Sequence, residues 1–574
     1  MIIDGRSLPK DHTLQTDVCI VGAGVAGITV ARELAGLSFR VCLVEAGGMK
    51  PDRRTQSLFW GENVGHPYFP LDTARCCGFG GTGNRWSAQI GGNQLGVRLR
   101  PLDELDFLER DWVPYSGWPF GKAELDPFYG RAHDVCRTGP FSYDVGDWED
   151  PVASPRLPLG GGVETVIFQF GSREPFTKQY QAEITGAGNI DLCIHTSGLA
   201  LETDQSGQRV TRLRAGSLDG RPFWIAAKVF ILAQGAIEIP RLLLSSRGVW
   251  KDGIGNANDL VGRFFMEHLH LWSGSLVPSD PSLADFTGLY EIHTKSGIPI
   301  MGKIALAKEM VQRNRLLNYC VSLHPHRRDG HPAIAPSWEV VSWPLLRPAG
   351  NRTLNPGASA GRFLDPGPGG APVAVAPPPA NDAGRRVAPV PVMQRLRRTA
   401  LRRARQVGQA LTGSSRGVRP PLVFQLNHMT EQAPNPDSRI TLSEERDPLG
   451  RNRVRLDWRL SPLDIRTIVR AQEIIGEEFR RAGLGRLQID LHGETPPPGL
   501  EGGWHHMGTT RMHLDPRQGV VDPDCRVHGT SNLFIAGPSV FPTCGYANPV
   551  LTIVALSLRL ADRIKQRMAA GAGE

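Results

Sequence analysis

Long hydrophobic runs, a CxxC motif and a basic leader are what this 574-residue chain lacks. No apolar stretch approaches the roughly 20 residues that span a bilayer. The opening residues, MIIDGRSLPKDHTLQTD, hold no basic region followed by an apolar one. We therefore expect no transmembrane segment and a cytoplasmic location. The nine cysteines (Cys19, Cys42, Cys76, Cys77, Cys136, Cys193, Cys320, Cys525 and Cys544) are odd in number. That argues against a disulfide framework and a zinc module, and fits a reducing compartment. Nor is a metal site expected. The adjacent His505 and His506 would point to opposite faces of an extended segment, with no Cys or carboxylate joining them at ligand spacing.

Negative charge is scarce in one place. Between Leu345 and Pro420 there are thirteen arginines, no lysine, and only Asp365 and Asp382 as acids. The chain's net charge of +8 therefore belongs to this segment, and the remainder is slightly acidic. A basic patch confined to one insertion does not make a nucleic-acid-binding protein. The insertion is also rich in Pro, Gly and Ala (NPGASAGRFLDPGPGGAPVAVAPPPANDAG), a composition unable to bury enough apolar surface to fold alone. From Val392 its second half, VMQRLRRTALRRARQVGQAL, could form a basic amphipathic helix, either solvated or facing an acidic partner or membrane surface.

What the chain does have is enough length for more than one core, so two domains are expected. It also has a contiguous nucleotide signal, TDVCIVGAGVAGITVARELAGLSFRVCLVEAGG. Val18 to Val21 read as a buried strand. Gly22, Gly24 and Gly27 supply GxGxxG at the start of a helix running to about Leu34, and Arg40 to Val44 form a second strand ending at Glu45. Gly22 makes the turn, Gly24 admits a pyrophosphate to the backbone, and Gly27 packs helix on strand. Glu45 is placed to hold ribose hydroxyls, and its charge disfavours a 2′-phosphate. Whether the dinucleotide is NAD or FAD is left open by this unit.

Four further segments bear on that question: RCCGFGGTGNRWSAQIGG from Arg75, VFILAQGAIEIPRLLLSSRG from Val229, VGRFFMEHLH from Val261, and GVVDPDCRVHGTSNLFIAGPSVFPTCGYANPVLTIVALSLRLADRI from Gly519. Together, in this order, they resemble the glucose-methanol-choline (GMC) oxidoreductases. EQAPNPDSRITLSEERDPLG, from Glu431, is similar to the bacterial branch near the pyranose and glycoside oxidases. The resemblance implies an α/β fold: a doubly wound, Rossmann-type FAD-binding domain with a substrate domain built around an antiparallel sheet. We place the FAD domain at residues 1–105, 186–262 and 500–574, and the substrate domain and cap at 106–185 and 263–499, including the insertion at 345–420.

The resemblance also implies FAD. The cofactor residues would be Gly22, Gly24, Ala26, Gly27, Glu45 and Ala46 in the first segment and Arg75, Gly80, Gly81, Asn84 and Trp86 in the second. Gly235, Gly537, Asn548 and Pro549 complete the set. In branches that attach FAD through a histidine, the attachment falls where this chain has Arg85, so FAD should be non-covalent. Gly537 and Pro538 stand where many members carry an acid before Ser539, so backbone is expected to replace a side-chain contact there.

In WHHMGTTRM, Trp504 to Met512, the family's base lies three residues before the glycine of the GT pair, which selects His505; His506 would face away. Its partner is implied at Asn548, five residues beyond Thr543. Asn548 also reads as a helix N-cap, with Pro549 first in the helix and Val550, Leu551, Val554 and Leu558 forming an apolar stripe. Residues 102–130 read as a helix, a Pro/Trp-rich loop and a second helix start over the site entrance. Trp112, Tyr115 and Trp118 of that loop could stack on a sugar or simply pack.

The expected activity is oxidation of an alcohol to a carbonyl on a sugar, glycoside or cyclitol-like substrate, with O2 or another electron acceptor. The enzyme could be a homo-oligomer. Two alternatives remain at this point. One is a GMC-type lyase in which FAD is structural; the other is an adaptor acting through the basic insertion.

Overall fold

The computed structural model describes residues 1–91, 94–327 and 422–570. The Pro/Gly/Arg-rich insertion and its expected amphipathic helix lie outside the described residues. Short apolar runs make the first sheet. VCIV (Val18–Val21), VCLV (Val41–Val44) and VFIL (Val229–Leu232) are buried at every position. Strands covered on both faces need apolar residues throughout, not alternation. Six strands pair in the order Ile2–Asp4, Ile190–Ile194, Val41–Val44, Val18–Val21, Val229–Leu232 and Leu533–Ile535, all parallel. Each fully buried Val, Leu or Ile of these strands contributes about 1.5–3 kcal/mol relative to exposure.

Helices follow the strands where the glycines allow. Gly22, at φ 111°, turns the chain from the first central strand into the helix Val25–Glu33. A Cβ on Gly27 would lie 1.9 Å from the Gly22 carbonyl oxygen, so only glycine lets this helix approach its strand. The C-terminal helix Val550–Ala570 packs on Val25–Glu33 through a wholly buried first half.

The second large sheet is antiparallel. Its main path runs Gly485–Gln488, Leu269–Pro278, Leu422–Thr430, Tyr319–Arg327, Ile298–Leu306, Val163–Ser172, Gln94–Leu99 and Ala88–Gly91. Ala88–Gly91 and Gln94–Leu99, grouped by sequence with the FAD domain, pair instead into this sheet through Val163–Ser172. One face, with Ile300, Ile304, Val321, Leu323, Phe424 and Leu426, packs against the helix Pro462–Arg481. That helix is fixed at its start by a capping box between Ser461 and Asp464. The opposite face mixes buried apolar side chains such as Phe168, Phe170 and Met429 with charged and imidazole groups, and its His270 ring lies 6.2 Å from that of His505.

The loop at 102–130 holds the helix Glu104–Phe107 and the start of Lys122–Cys136. Its tryptophans are structural: the indole N–H of Trp112 donates to the Leu316 carbonyl at 2.8 Å, and that of Trp118 to Thr543 Oγ1 at 2.9 Å. Among the described residues no helix is long and apolar enough to cross a membrane.

Candidate active site

A cavity opens along the C-terminal edge of the parallel sheet. That edge is where α/β sheets place their ligands. Gly22, Gly24, Ala26, Glu45, Ala46, Arg75, Gly81, Trp86, Gly235 and Gly537 of the expected set line it. Gly27 packs behind. Gly80 bridges to Gly24, and Asn84 donates to the Phe79 and Gly81 carbonyls, so these two shape the loop from outside the lining. Asn548 and Pro549 lie outside it as well.

These residues fit a flavin dinucleotide. The helix Val25–Glu33 has Gly24 as its N-cap with no side-chain cap, which leaves its first N–H groups and its positive dipole end for a pyrophosphate. Glu45 is buried at the cavity, where it accepts from Gly47 N–H at 2.9 Å and Ala23 N–H at 3.1 Å. Burial raises its pKa despite those donors. Each of its oxygens keeps a lone pair for a ribose hydroxyl. Gln234 Oε1 is buried at the lining without a partner.

Arg75 is committed elsewhere than to a ligand. It pairs with Glu238 at 2.6 Å and donates to the Leu71 and Phe59 carbonyls. It belongs to a buried network in which Arg241 bonds Glu238 and Asp447, and Arg451 bonds Asp447 at 2.9 Å. Burial alone would raise the Glu238 carboxyl, but Arg241, Arg75 and Arg451 outweigh it and bring its pKa to about 2. Three cations thus face two carboxylates, leaving positive charge beside the cavity through Arg451, which the sequence reading had missed.

The histidine pair is arranged by a contact between distant segments. Met266 and Met507 exchange two backbone hydrogen bonds, both 3.0 Å, as an antiparallel bridge. This register sets His268 beside His505 and Glu267 beside His506. Just before the pair, Trp504 adopts φ 60°, an unusual conformation for a large residue, of the kind that concentrates at functional sites. Gly503 could carry no side chain, since a Cβ there would lie 2.7 Å from His270 Nε2 and 2.8 Å from His505 Nδ1.

The two rings then diverge. His505 Nδ1 lies 3.0 Å from His268 Nδ1, and its Nε2 receives the Asn548 amide Nδ2 at 3.2 Å. His506 Nε2 lies 2.8 Å from the Tyr68 hydroxyl, which donates to Glu267 Oε1. Glu267 Oε2 accepts from the backbone N–H of His505 at 2.8 Å and of Gly503 at 3.1 Å. His506 does not simply face away, because it borders the cofactor cavity. Its ring is nonetheless engaged by Tyr68: with the hydroxyl proton of Tyr68 directed to Glu267, His506 Nε2 is the donor to Tyr68 and carries no lone pair there.

Hydrogen-bond logic fixes the His505 tautomer. His268 Nε2 stands 3.2 Å from the Cys544 carbonyl, which can only accept, so His268 carries its proton there. Its Nδ1 is then an acceptor, and His505 must donate from Nδ1. The lone pair of His505 is left on Nε2, facing Asn548. Burial, followed by the neighbouring His268, His270 and His506, holds His505 well below its ordinary 6.5, so the ring is neutral at pH 7. Burial likewise lowers His268 to about 4 and His506 to about 3, while it raises Glu267 to about 7.

Asn548 departs from its expected capping role. The first helical bond runs from Ile553 N–H to the Pro549 carbonyl at 2.8 Å, so the helix begins one residue later than the sequence suggested. The Asn548 carboxamide turns to His505 instead, and its Oδ1 is buried without a partner.

The chain is similar to several known proteins. Residues 434–557 match the family described as GMC oxidoreductase, and residues 17–61 match FAD dependent oxidoreductase. The chain is 23% identical to the 6'''-hydroxyparomomycin C oxidase of Streptomyces lividus, over 96% of this chain and 92% of the relative. It is 35% identical to a C-glycoside 3-oxidase of Arthrobacter globiformis over 126 residues, 21% of this chain and 23% of the relative. A formate oxidase structure from Aspergillus oryzae superposes with a TM-score of 0.50 at 16% identity, covering 96% of this chain and 98% of that one. That likeness concerns the fold.

Proposed function

We propose that the chain is an FAD-dependent oxidoreductase of the GMC type, as the matched segments support, and that it oxidises a hydroxyl of a sugar or glycoside-like substrate to a carbonyl, with His505 as the base and Asn548 as its partner. The observation that carries this reading is the Nε2 lone pair of His505, set by His268 and facing the Asn548 amide. The glycoside class is supported by the two relatives above, whose names state oxidation of such molecules. Non-covalent attachment of FAD is supported by Arg85, a side chain that cannot supply a histidyl bond.

FAD, when bound, accepts the substrate's carbon-bound hydrogen as hydride. The protein's part is the hydroxyl proton. With a hydroxyl at pKa ~15.7, an ordinary histidine at ~6.5 and ~1.36 kcal/mol per unit, a free alkoxide would lie about 12 kcal/mol uphill. The lowered basicity of His505 enlarges that gap. Proton transfer to Nε2 must therefore coincide with departure of the hydride, not precede it. The Asn548 N–H is the donor available to hold charge developing on the substrate oxygen, and Trp86, whose ring lies 6.1 Å from that of His505, limits water around the base. A cytoplasmic setting is supported by nine cysteines that are all buried and unpaired.

The test is an anaerobic panel of sugars and glycosides monitored by flavin absorbance. Bleaching by at least one, with the matching carbonyl product, is the expected result; a flavin that stays oxidised throughout while the hydroxyl substrates are cleaved would replace oxidation by lyase chemistry.

A further inference from the structure

The face of the antiparallel sheet turned away from the helix holds two cations that no carboxylate among the described residues neutralises. Alternation along Gln94–Leu99, Ile298–Leu306, Tyr319–Arg327 and Leu269–Pro278 puts Arg98, Lys303, His324 and His270 on this face, opposite the side packed on the helix. Lys303 is only 2% exposed. Among the described residues neither Lys303 nor Arg98 has a carboxylate partner. Lys303 rests on the Phe168 ring at 4.9 Å and Arg98 on that of Phe170 at 5.7 Å. Arg98 Nε is buried without a hydrogen bond, and so is His270 Nε2. The wall adjoins the reacting centre, since the His270 and His505 rings are 6.2 Å apart.

Burying one ammonium without a counter-ion is costly, and setting a guanidinium near it adds repulsion. Burial, with Arg98, lowers Lys303 to about 8, which still leaves it mostly protonated at pH 7. Neutral hydroxyls would satisfy hydrogen bonds here but not the charge. Aromatic faces offset only part of it. An acceptor that brings its own negative charge satisfies both.

We propose that this wall binds an anionic group, a carboxylate or phosphate, carried by the alcohol substrate, with Lys303 and Arg98 as charge partners and His270 Nε2 as a further donor. This rests on the reading of His505 as the base of alcohol oxidation and narrows its substrates to anionic ones. Arg98 suits either group by its planar fork, and Lys303 acts as a point charge.

The test uses the FAD-loaded enzyme in two arms. In the first, anaerobic flavin reduction compares D-glucose, D-glucuronate and glucose 6-phosphate. Expected is a kcat/KM at least about tenfold higher for one of the anionic hexoses, whose identity separates carboxylate from phosphate recognition. In Lys303→Met this preference should fall about tenfold, chiefly through KM, and Lys303→Arg should restore it. Equal or better use of glucose, or a preference unchanged in Lys303→Met, would overturn the proposal.

In the second arm, the oxidised flavin spectrum is titrated with acetate and with inorganic phosphate. A saturable change with either, weakened in Lys303→Met and in Arg98→Gln, supports the site even where no hexose is oxidised. No response in the wild-type protein overturns the site. Failure of every hexose to bleach flavin, with the anion response intact, counts against the oxidation reading and not against the site.

Discussion

If His505 is the base, as proposed, replacing His268 by alanine should remove the group that orients it while leaving the base in place. In the intact site the His505 Nδ1–H donates to His268 across 3.0 Å, and His268 is anchored to the Cys544 carbonyl. A hydrogen bond between neutral groups contributes ~0.5–1.5 kcal/mol and one to a charged group ~1.5–3 kcal/mol. When His505 takes the substrate proton its ring becomes cationic, so the bond to His268 strengthens by about 1–1.5 kcal/mol on the way to the transition state. Losing that increment slows flavin reduction about tenfold, at ~1.36 kcal/mol per factor of ten. KM should change little, because the ground-state ring is neutral. The assay is stopped-flow anaerobic reduction at equal FAD content, with an alcohol the wild type oxidises. His268→Asn, whose carboxamide oxygen can stand near the lost Nδ1, should recover part of the rate. Reduction of the alanine variant at the wild-type rate, or a loss confined to KM, would show that His268 does not orient the base.

His505→Ala should retain FAD but reduce it about 10²- to 10⁴-fold more slowly, the usual contribution of a positioned base. His506→Ala should lose far less, so the reverse order would reassign the base. Acid or heat denaturation should release the flavin into the supernatant, and colour remaining with the precipitate would reveal a covalent bond that Arg85 does not explain. Glu267 keeps its proton up to about pH 7; above that its charge lies beside the His505 backbone N–H and favours the cation forming on the ring. A profile of kcat/KM should therefore rise through about pH 7 and lose that limb in Glu267→Gln. A limb that persists in the variant would belong to His505 and contradict its lowered value.

The sequence by itself determined the nucleotide-binding unit, because everything that unit needs is contiguous. Strand, glycine turn, helix and acid lie between Val18 and Glu45, and Gly22 and Gly27 are required by contacts within that stretch or with its adjoining strand. The spacing of His505, Gly508 and Asn548 was legible for the same reason: each sits in its own short motif. Tertiary structure alone decided what surrounds them. The bridge of Met266 to Met507 joins segments that no local pattern relates, and it brings Glu267 and His268 against the histidine pair. EHLH was visible as a motif, but its role depends on strand register, which a sequence read one segment at a time does not contain. Arg451 reaches the cofactor cavity through an ion network spread from Arg75 to Asp447. Of the two roles the sequence offered Asn548, helix cap and partner of His505, the carboxamide takes the contact with His505, and the helix begins after Pro549. Local preferences set the elements; long-range pairing chose which side chains meet, since the energy of a buried contact depends on neighbours that only folding supplies.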